Sequence, residues 1–242
     1  MALTIHPLDL GTLTVDKSGL TLRRGLGTKV DAPCLSYLIL GGSCPTLVDS
    51  GPCRDGAWGT KYHNPFRRGP EQSMQAALAP HGLAPADIRR VVISHLHWDH
   101  CYGNADLPNA RFVVQRRELA YAVAPLPCDA PIYETQLHPV HFLAAFDRFD
   151  VIDGEVEIEP GLRCVPLPGH TPGLQGVLVE TATGRVMIVS DHCPLFENYE
   201  ILVPTGIIHS LEAWYTSTAR VRSLADRVLP GHDLRVLAAE GS

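Results

Sequence analysis

The segment Ser94-His95-Leu96-His97-Trp98-Asp99-His100 places three histidines and one aspartate within six consecutive positions, directly after an apolar run. That run, Val91-Val92-Ile93, is short and β-branched, which is typical of a buried strand. The first two histidines project to one side as the strand ends, and the aspartate and third histidine belong to the following turn. A tetrahedral ion that keeps one position for water binds three protein ligands. Because this segment offers four, it predicts a site for two metal ions.

Three further segments of the chain each bring one candidate ligand to the end of an apolar or turn-forming stretch. Pro168-Gly169-His170-Thr171-Pro172-Gly173 is too rich in glycine and proline to be anything but a loop, and it offers His170. Val186-Met187-Ile188-Val189-Ser190-Asp191 indicates a buried strand that ends in a carboxylate. Val228-Leu229-Pro230-Gly231-His232-Asp233 ends in a histidine. Each signal is weak alone, but together they predict a complete metal centre.

With these motifs the chain resembles the metallo-β-lactamase-fold hydrolases and, within them, the N-acyl homoserine lactonases. The resemblance extends over nearly the whole length and includes Leu47-Val48-Asp49-Ser50-Gly51 near the start. It implies an α/β fold, the four-layer αβ/βα sandwich, which agrees with the alternation of strand-like and helix-like segments along the chain. We expect residues 1–242 to form one such domain.

The resemblance also implies a ligand set and two Zn²⁺ ions per chain. One zinc would be held by His95, His97 and His170, and the other by Asp99, His100 and His232, with Asp191 bridging the two. Asp49 would orient a ligand histidine from outside the coordination sphere. Asp99 and Asp191 are also the candidates for carrying a proton to the leaving oxygen.

The chain departs from the lactonase pattern at one position near the metal site. The lactonases carry a substrate-contacting tyrosine three residues after the bridging aspartate, and this chain has Pro194 there. Another donor must then hold the substrate, or the zinc ions must act alone. Tyr199 and His209 are the preferred candidates for this catalytic role because both lie between Asp191 and the last helix, and His192 and Tyr102 are the others. The alternative is that Tyr199 packs in the core and His209 caps the helix.

Composition limits the partners and the cellular location that we expect. The 242 residues are 45% hydrophobic and 19% charged, with a formal net charge of −6. A nucleic acid or an anionic membrane surface would favour a basic face, so neither is an expected partner. The start of the chain lacks a signal-peptide pattern and no segment has the length of a membrane span, so we expect a cytoplasmic protein. Seven scattered cysteines without a Cys-x-x-Cys motif predict reduced thiols, and Cys101 and Cys193 are more typical of buried filler than of ligands.

Local patterns predict the remaining elements. Residues 10–15 and 20–22 are expected to form a hairpin around a turn at 17–19, and residues 34–40 and 46–48 a second strand pair. Residues 72–78 and 115–124 are expected to be helical. A last amphipathic helix should begin after an N-cap at Ser210 and continue to Pro230, with Trp214 and Val228 on its buried face.

Two long stretches, residues 58–70 and 124–145, predict loops that line the substrate pocket or, alternatively, pack down or pair subunits in a homodimer. Arg67 and Arg68 are candidates to meet a polar head group. The side chains that these loops offer to the pocket are Tyr62, His63, Phe66, Tyr133, His138, His141 and Phe142.

The expected function is a dinuclear zinc hydrolase that opens a small-molecule lactone, or a related ester, through attack by a metal-bridging hydroxide. By resemblance, the activity would serve quorum quenching. A thioesterase of the glyoxalase II kind is the alternative within the same fold, and a catalytically silent metal-binding scaffold is the alternative outside enzymes. β-Lactam hydrolysis is disfavoured by the complete second site, and an iron oxidoreductase by the histidine at position 97.

Overall fold

Two β-sheets form the centre of the protein, for which the computed structural model describes residues 2–137 and 140–238. Within those residues the first sheet has seven strands in the order β4-β1-β2-β3-β5-β6-β7, and the second has five in the order β12-β11-β10-β9-β8. The strands of the first sheet are β1 (Thr4–Asp16), β2 (Lys29–Leu40), β3 (Thr46–Val48), β4 (Phe66–Arg67), β5 (Arg90–Val92), β6 (Arg111–Gln115) and β7 (Phe149–Ile152). Those of the second are β8 (Val156–Glu159), β9 (Leu162–Pro166), β10 (Gln175–Thr181), β11 (Gly184–Ser190) and β12 (Arg227–Pro230).

The α-helices are short apart from the last long one. They are α1 (Lys17–Leu20), α2 (Gly56–Tyr62), α3 (Met74–Leu78), α4 (Trp98–Cys101), α5 (Arg116–Val123), α6 (Phe196–Glu200), α7 (Leu211–Leu224) and α8 (Arg235–Ala238). Turns of 3₁₀ helix occur at Pro70–Gln72, Ala79–His81, Pro85–Asp87, Tyr102–Asp106 and His141–Arg148. No helix in the described ranges combines the length and apolar character that crossing a membrane requires.

Three apolar clusters separate four layers, as the fold prediction required. Alternate side chains of β2, including Tyr37 and Ile39, face the second sheet and meet Val177 and Ile188 there. The opposite face of the first sheet packs against α3, α5 and the turn His141–Arg148. The outer face of the second sheet packs against α7, whose Trp214 is fully buried, as predicted. The αβ/βα sandwich is therefore confirmed.

The predicted hairpin at the start of the chain is wrong in its second strand. Asp16 caps a helical turn, α1, by accepting hydrogen bonds from the Ser18 amide at 3.1 Å and the Gly27 amide at 2.9 Å. The chain therefore does not return until β2, which pairs antiparallel with β1. The alternation at residues 20–22 reflects burial of Leu20 and Thr21 in the α1 turn and the bend after it.

The predicted end of the last helix is also wrong. Ser210 is the N-cap, as expected, with its hydroxyl accepting from the Ala213 amide at 3.3 Å. The helix ends at Leu224, and Val228 lies on β12, parallel to β11. Asp226 separates the two elements because its carboxylate accepts from the Arg185 amide at 2.8 Å and so begins the strand pairing. Val228 is buried from a strand rather than from a helix, which sequence spacing alone did not distinguish.

Candidate metal centre

The seven predicted ligands meet where the chain leaves four strands, one in the first sheet and three in the second. His95 and the residues up to His100 follow β5, His170 follows β9, Asp191 follows β11 and His232 follows β12. All are buried except Asp99, which is partly exposed. Residues that are distant in sequence thus converge because the carboxyl ends of these strands open toward the same space.

Three histidines form one group in this space. One ring nitrogen from each of His95, His97 and His170 lies within 4.8 Å of the others. His97 Nδ1 and His170 Nε2 are 3.1 Å apart, so both point to the same centre. The geometry matches a three-histidine metal site.

A second group contains two histidines and two carboxylates. His232 Nε2 lies 3.7 Å from Asp99 Oδ2 and 3.0 Å from Asp191 Oδ1. His100 Nε2 lies 3.9 Å from Asp99 Oδ2 and 3.4 Å from Asp191 Oδ1. The other oxygen of Asp191, Oδ2, is 3.6 Å from His170 Nε2 in the first group. Asp191 therefore stands between the two groups, as a bridging ligand would.

Hydrogen bonds on the outer side of four rings fix their orientation. The Nδ1 atoms of His95, His100, His170 and His232 pair with Ser94 Oγ at 2.9 Å, Asp49 Oδ2 at 2.8 Å, the Ile207 carbonyl at 2.7 Å and the Pro33 carbonyl at 2.8 Å, respectively. Each of these rings consequently turns Nε2 inward. Such outer partners hold ligand histidines in metalloproteins and set the nitrogen that binds.

Several inward atoms have no partner of their own. Among the described residues, the buried atoms His95 Nε2, His100 Nε2 and Asp191 Oδ1 accept or donate no hydrogen bond. A buried polar atom without a partner costs about 1–3 kcal/mol. Three such atoms aimed at one space, in a set of imidazole and carboxylate donors, fit a bound divalent ion that satisfies them.

The pKa shifts of the histidines differ between the two groups. Burial and neighbouring histidines hold the pKa of His95 and of His97 well below the ordinary value, so both rings remain neutral. Burial also acts to lower the pKa of His100, but Asp191, Asp99 and Asp49 outweigh it and raise that pKa well above its ordinary value. The carboxylates thus concentrate negative charge around the second group, which favours a cation there.

Asp49 fastens the loop of predicted ligands from Ser94 to His100, and its contact with His100 fits the ligand-orienting role that the resemblance implied. It follows β3 with a positive φ of 65°, a backbone conformation that aspartate tolerates better than most residues. Its Oδ1 accepts from the Ser94 amide at 2.7 Å, and its Oδ2 accepts from the Ser94 hydroxyl at 2.8 Å while contacting His100. One carboxylate therefore positions both ends of the segment from Ser94 to His100.

Glu118, on α5, joins two of the loops that carry predicted ligands, and it was not identified from the sequence. The fully buried carboxylate accepts from the Leu96 amide at 3.0 Å, the Tyr133 hydroxyl at 2.8 Å, the Thr171 hydroxyl at 2.6 Å and the Gly173 amide at 3.2 Å. A side chain at Gly173 would meet the Glu118 amide at 2.1 Å, so only glycine allows this approach. Tyr133 in turn packs edge-on against the His97 ring at 4.6 Å.

A cavity of 260 Å³ opens onto both groups. Five of the predicted ligands line it, together with an apolar wall from β1, α1, Trp98 and Ile132 and with Pro194, Thr205 and Ile207. Asp99 and Asp191, the two candidates for proton transfer, are both on the cavity wall. The cavity thus offers a substrate access to carboxylate and imidazole groups from one side.

The two predicted loops contribute to this cavity only in part. Tyr62, His63 and Ile132 line it, and His63 stacks on Trp98 with ring centroids 4.2 Å apart. Phe66 and Phe142 instead pack into apolar clusters, and His138 lies outside the described residues. Residues 58–70 also contain the end of α2 and strand β4 rather than a simple loop.

Hydrogen bonds to Glu134 join residues 58–70 to residues 124–145. The buried Glu134 receives His63 Nε2 at 2.7 Å, His141 Nδ1 at 3.0 Å and the Trp58 indole at 3.3 Å. Although burial acts to raise the pKa of Glu134, the hydrogen bonds from His141 and His63 outweigh it and lower that pKa to about 2. The carboxylate is therefore ionised and holds these two stretches together beside the candidate site.

Arg67 and Arg68 do not face this cavity. Arg67 pairs with Asp31 on the surface at 2.6 Å. Arg68 donates to the carbonyls of Gln72 at 2.9 Å and Cys53 at 3.2 Å and does not line the cavity. The prediction that they meet a head group in the substrate pocket is wrong.

The structure does not bring Tyr199 or His209 to the cavity. Tyr199 on α6 packs against the cluster around Trp214, with the Arg222 guanidinium 5.1 Å from its ring centroid. His209 is exposed, its amide donates to the Gly169 carbonyl at 2.8 Å, and its ring contacts Tyr121. Of the other two candidates, His192 is buried against Thr218 and Trp214, and Tyr102 stacks on His141. The catalytic role predicted for Tyr199 and His209 is therefore not supported.

Two residues beside the predicted ligands, Thr205 on the cavity wall and Cys34 in β2, carried no sequence signal. Thr205 is fully buried and lines the cavity, and its hydroxyl has no hydrogen-bond partner within residues 2–137 and 140–238. Cys34 is buried beside Asp99 and His232. A lone threonine after proline and a lone cysteine in a strand look ordinary in sequence, and only the folded chain places them at this site.

Known proteins resemble the chain in sequence and in structure. A family model described as the metallo-beta-lactamase superfamily matches residues 30–232. An N-acyl homoserine lactonase from a Bacillus species is 29% identical over 247 residues, covering 95% of this chain and 93% of the relative. The N-acyl homoserine lactonase AttM of Azorhizobium caulinodans is 29% identical over 255 residues, covering 95% and 92%. A solved N-acyl homoserine lactone hydrolase, with the product N-hexanoyl-L-homoserine at its catalytic metal centre, superposes with a TM-score of 0.81 at 25% identity and covers 99% and 97% of the two chains.

Proposed function

The chain belongs to the metallo-β-lactamase superfamily, and from this membership and the geometry of the site we propose that it is a two-zinc hydrolase that opens lactone rings. One observation carries the proposal: seven imidazole and carboxylate side chains surround one space with unpartnered atoms directed into it. The activity of relatives that align over 95% of the chain supports lactones as the substrate class.

The proposed ligands would hold one zinc ion with His95, His97 and His170 and the other with Asp99, His100 and His232, with Asp191 between them. When bound, a pair of divalent ions supplies an activated water nucleophile and polarises the carbonyl that it attacks. Ligand atoms held by outer hydrogen bonds need little rearrangement to bind them.

The protein itself would orient the substrate and move a proton. The apolar wall of Leu20, Trp98 and Ile132 would exclude water from the acyl side of the substrate. Asp99 lies on the cavity wall with its side chain 12% exposed, so its carboxylate could take up the proton released by the nucleophile and return it to the leaving alcohol oxygen. The product would be a hydroxy acid.

A substrate panel tests the proposal. We expect lactones to be hydrolysed faster than aryl esters or glutathione thioesters, because the sequence and structural relatives act on lactones. The 260 Å³ cavity is below the roughly 300–1,000 Å³ usual for ligand pockets, so compact and short-acyl lactones should react faster than long-chain acyl homoserine lactones. Acid release by each substrate at equal enzyme concentration provides the measurement. Thioesters cleaved far faster than every lactone would replace the lactonase proposal with the thioesterase alternative.

We expect the Thr205 hydroxyl to make the polar contact with the substrate that the sequence analysis assigned to Tyr199 or His209. Thr205→Val removes the unpartnered hydroxyl and keeps the shape of the side chain, so kcat/KM for a lactone should fall about tenfold, the value of one hydrogen bond. The free energy of unfolding should stay the same or rise, because a buried unpartnered hydroxyl stabilises nothing. Thr205→Ser is the matched control and should retain activity. Equal kcat/KM in wild type and Thr205→Val would show that the hydroxyl does not contact the substrate.

A further inference from the structure

Cys34 occupies an unusual position in β2. The adjacent Pro33 holds His232 through its carbonyl. In the antiparallel pairing of β1 and β2, Asp9 opposes Leu35 and Thr12 opposes Pro33, so Leu10 and Gly11 together face Cys34. This arrangement is a β-bulge, a feature that redirects a side chain and is common beside active sites.

The bulge places the thiol among the proposed metal ligands. The Cys34 sulfur, a carboxylate oxygen of Asp99 and a ring nitrogen of His232 all lie within 4.8 Å of one another. Asp191 Oδ1 and His100 Nε2 are directed into the same region and have no hydrogen-bond partner in the described part of the chain. The sulfur therefore faces a group of atoms that already fits a cation.

Other buried thiols near the site behave differently. Cys53 donates to the Asp55 carbonyl at 3.2 Å, and Cys101 donates to the His97 carbonyl at 3.4 Å. Across residues 2–137 and 140–238, the Cys34 thiol makes no hydrogen bond. One side of Cys34 packs against the apolar cluster of Leu13, Val15 and Ala32, which would suit an aliphatic residue equally well. What an aliphatic side chain could not provide is a sulfur donor next to Asp99 and His232.

We propose that Cys34 supplies a thiolate ligand to the metal ion held by Asp99 and His232. The inference rests on the proposed two-metal function and extends it to a residue outside the seven predicted ligands. On binding, the thiol proton is released to solvent and the sulfur forms one bond to the ion. A soft thiolate would favour zinc or cobalt at this position over magnesium, calcium or manganese.

Cobalt substitution tests the proposal without relying on activity. Metal-free full-length protein is titrated with Co²⁺, and a thiolate-to-cobalt charge-transfer band is expected in the near ultraviolet as the second ion binds. Cys34→Ala and Cys34→Val should abolish this band and weaken binding of one of the two ions at least tenfold, since loss of even an outer partner of a ligand costs about 10–100-fold. Cys53→Ser is the matched control, because Cys53 is buried in the same apolar cluster but lies outside the ligand group. It should keep the band.

The outcomes separate the two proposals. A wild-type protein that binds two cobalt ions and hydrolyses lactones without a charge-transfer band would overturn the role of Cys34 and leave the proposed function intact. A band that persists in Cys34→Ala would also overturn the role of Cys34. Absence of cobalt binding would overturn both. Because the wild-type titration gives a result by itself, the test does not depend on the folding of either Cys34 variant.

Discussion

Asp191→Ala is expected to abolish lactone hydrolysis and to reduce bound zinc clearly below two ions per chain. Asp191 is the residue whose two oxygens face the two groups separately, His232 and His100 on one side and His170 on the other. Its removal leaves a gap between the groups and takes away the carboxylate that acts most strongly, against burial, to raise the pKa of His100. His97→Ala should also abolish turnover, since the first group then retains only two histidines. Elemental analysis and steady-state rates on the same preparations provide the measurement.

Two variants control for indirect effects of the Asp191 substitution. Asp191→Asn keeps the volume of the side chain and should still lose activity, because the amide lacks the second charged oxygen. His192→Gln alters the neighbouring residue, which contacts Thr218 and Trp214 rather than the cavity, and should keep the zinc content of the wild type. Full zinc occupancy with near-normal turnover in Asp191→Ala would refute the bridging role.

The layers of the fold could be predicted because the signals for them are local. Short β-branched runs such as Val91-Val92-Ile93 lie on strands or directly after them, and Ser210 begins the last long helix as its cap. Errors arose where a distant partner decides the conformation. Alternation at residues 20–22 looks like a strand, but Asp16 caps the helical turn α1 and the Thr21 amide closes it on the Lys17 carbonyl. Val228 fits a helical stripe, but pairing with β11 places it on a strand.

The residues of the candidate site also divide into those that sequence patterns predicted and those whose position depends on distant contacts. Four of its seven proposed ligands stand in one dense motif and the other three follow strands, so the sequence alone predicted that they would converge. The polar side chain on the cavity wall was not predictable, because Tyr199 and His209 were chosen by their position in sequence between Asp191 and the last helix. In the folded chain, Tyr199 on α6 lies against Arg222, and Thr205 lines the cavity instead. Sequence distance fixes where a segment begins but not which face of it is turned inward.

Buried carboxylates that organise the site were also missed. Glu118 sits in an ordinary first helical turn and Glu134 in an irregular segment, and neither belongs to a metal-ligand motif. Their importance comes from donors contributed by other parts of the chain, such as Leu96, Thr171 and His63. A charge in a helix is usually solvated, so sequence reasoning assigns it to the surface. Only the three-dimensional arrangement shows that these carboxylates connect the loops of the candidate site.

Glu118→Ala is expected to destabilise the protein by several kcal/mol, since each buried donor left without an acceptor costs about 1–3 kcal/mol. Four donors would lose their acceptor at once: the amides of Leu96 and Gly173 and the hydroxyls of Tyr133 and Thr171. Urea unfolding of the metal-free protein measures the effect apart from metal binding. Arg116→Ala is the matched control, since it lies on the same helix in an exposed ion pair with Asp153 and should change the free energy of unfolding by less than about 1 kcal/mol.

The same substitution should impair the metal centre. Glu118 fixes the loop of His95 and His97 through Leu96, and the loop of His170 through Thr171 and Gly173. If these loops are held mainly by Glu118, the variant should bind the zinc of the three-histidine group more weakly, on the order of 10–100-fold, while the group around His232, held by Pro33, is less affected. Glu118→Gln should be intermediate, because one amide oxygen can still accept from Leu96 and Tyr133 while its NH₂ opposes the donors of Thr171 and Gly173. Unchanged unfolding and unchanged zinc affinity in Glu118→Ala would show that the loops are positioned by the metal ions themselves rather than by this carboxylate.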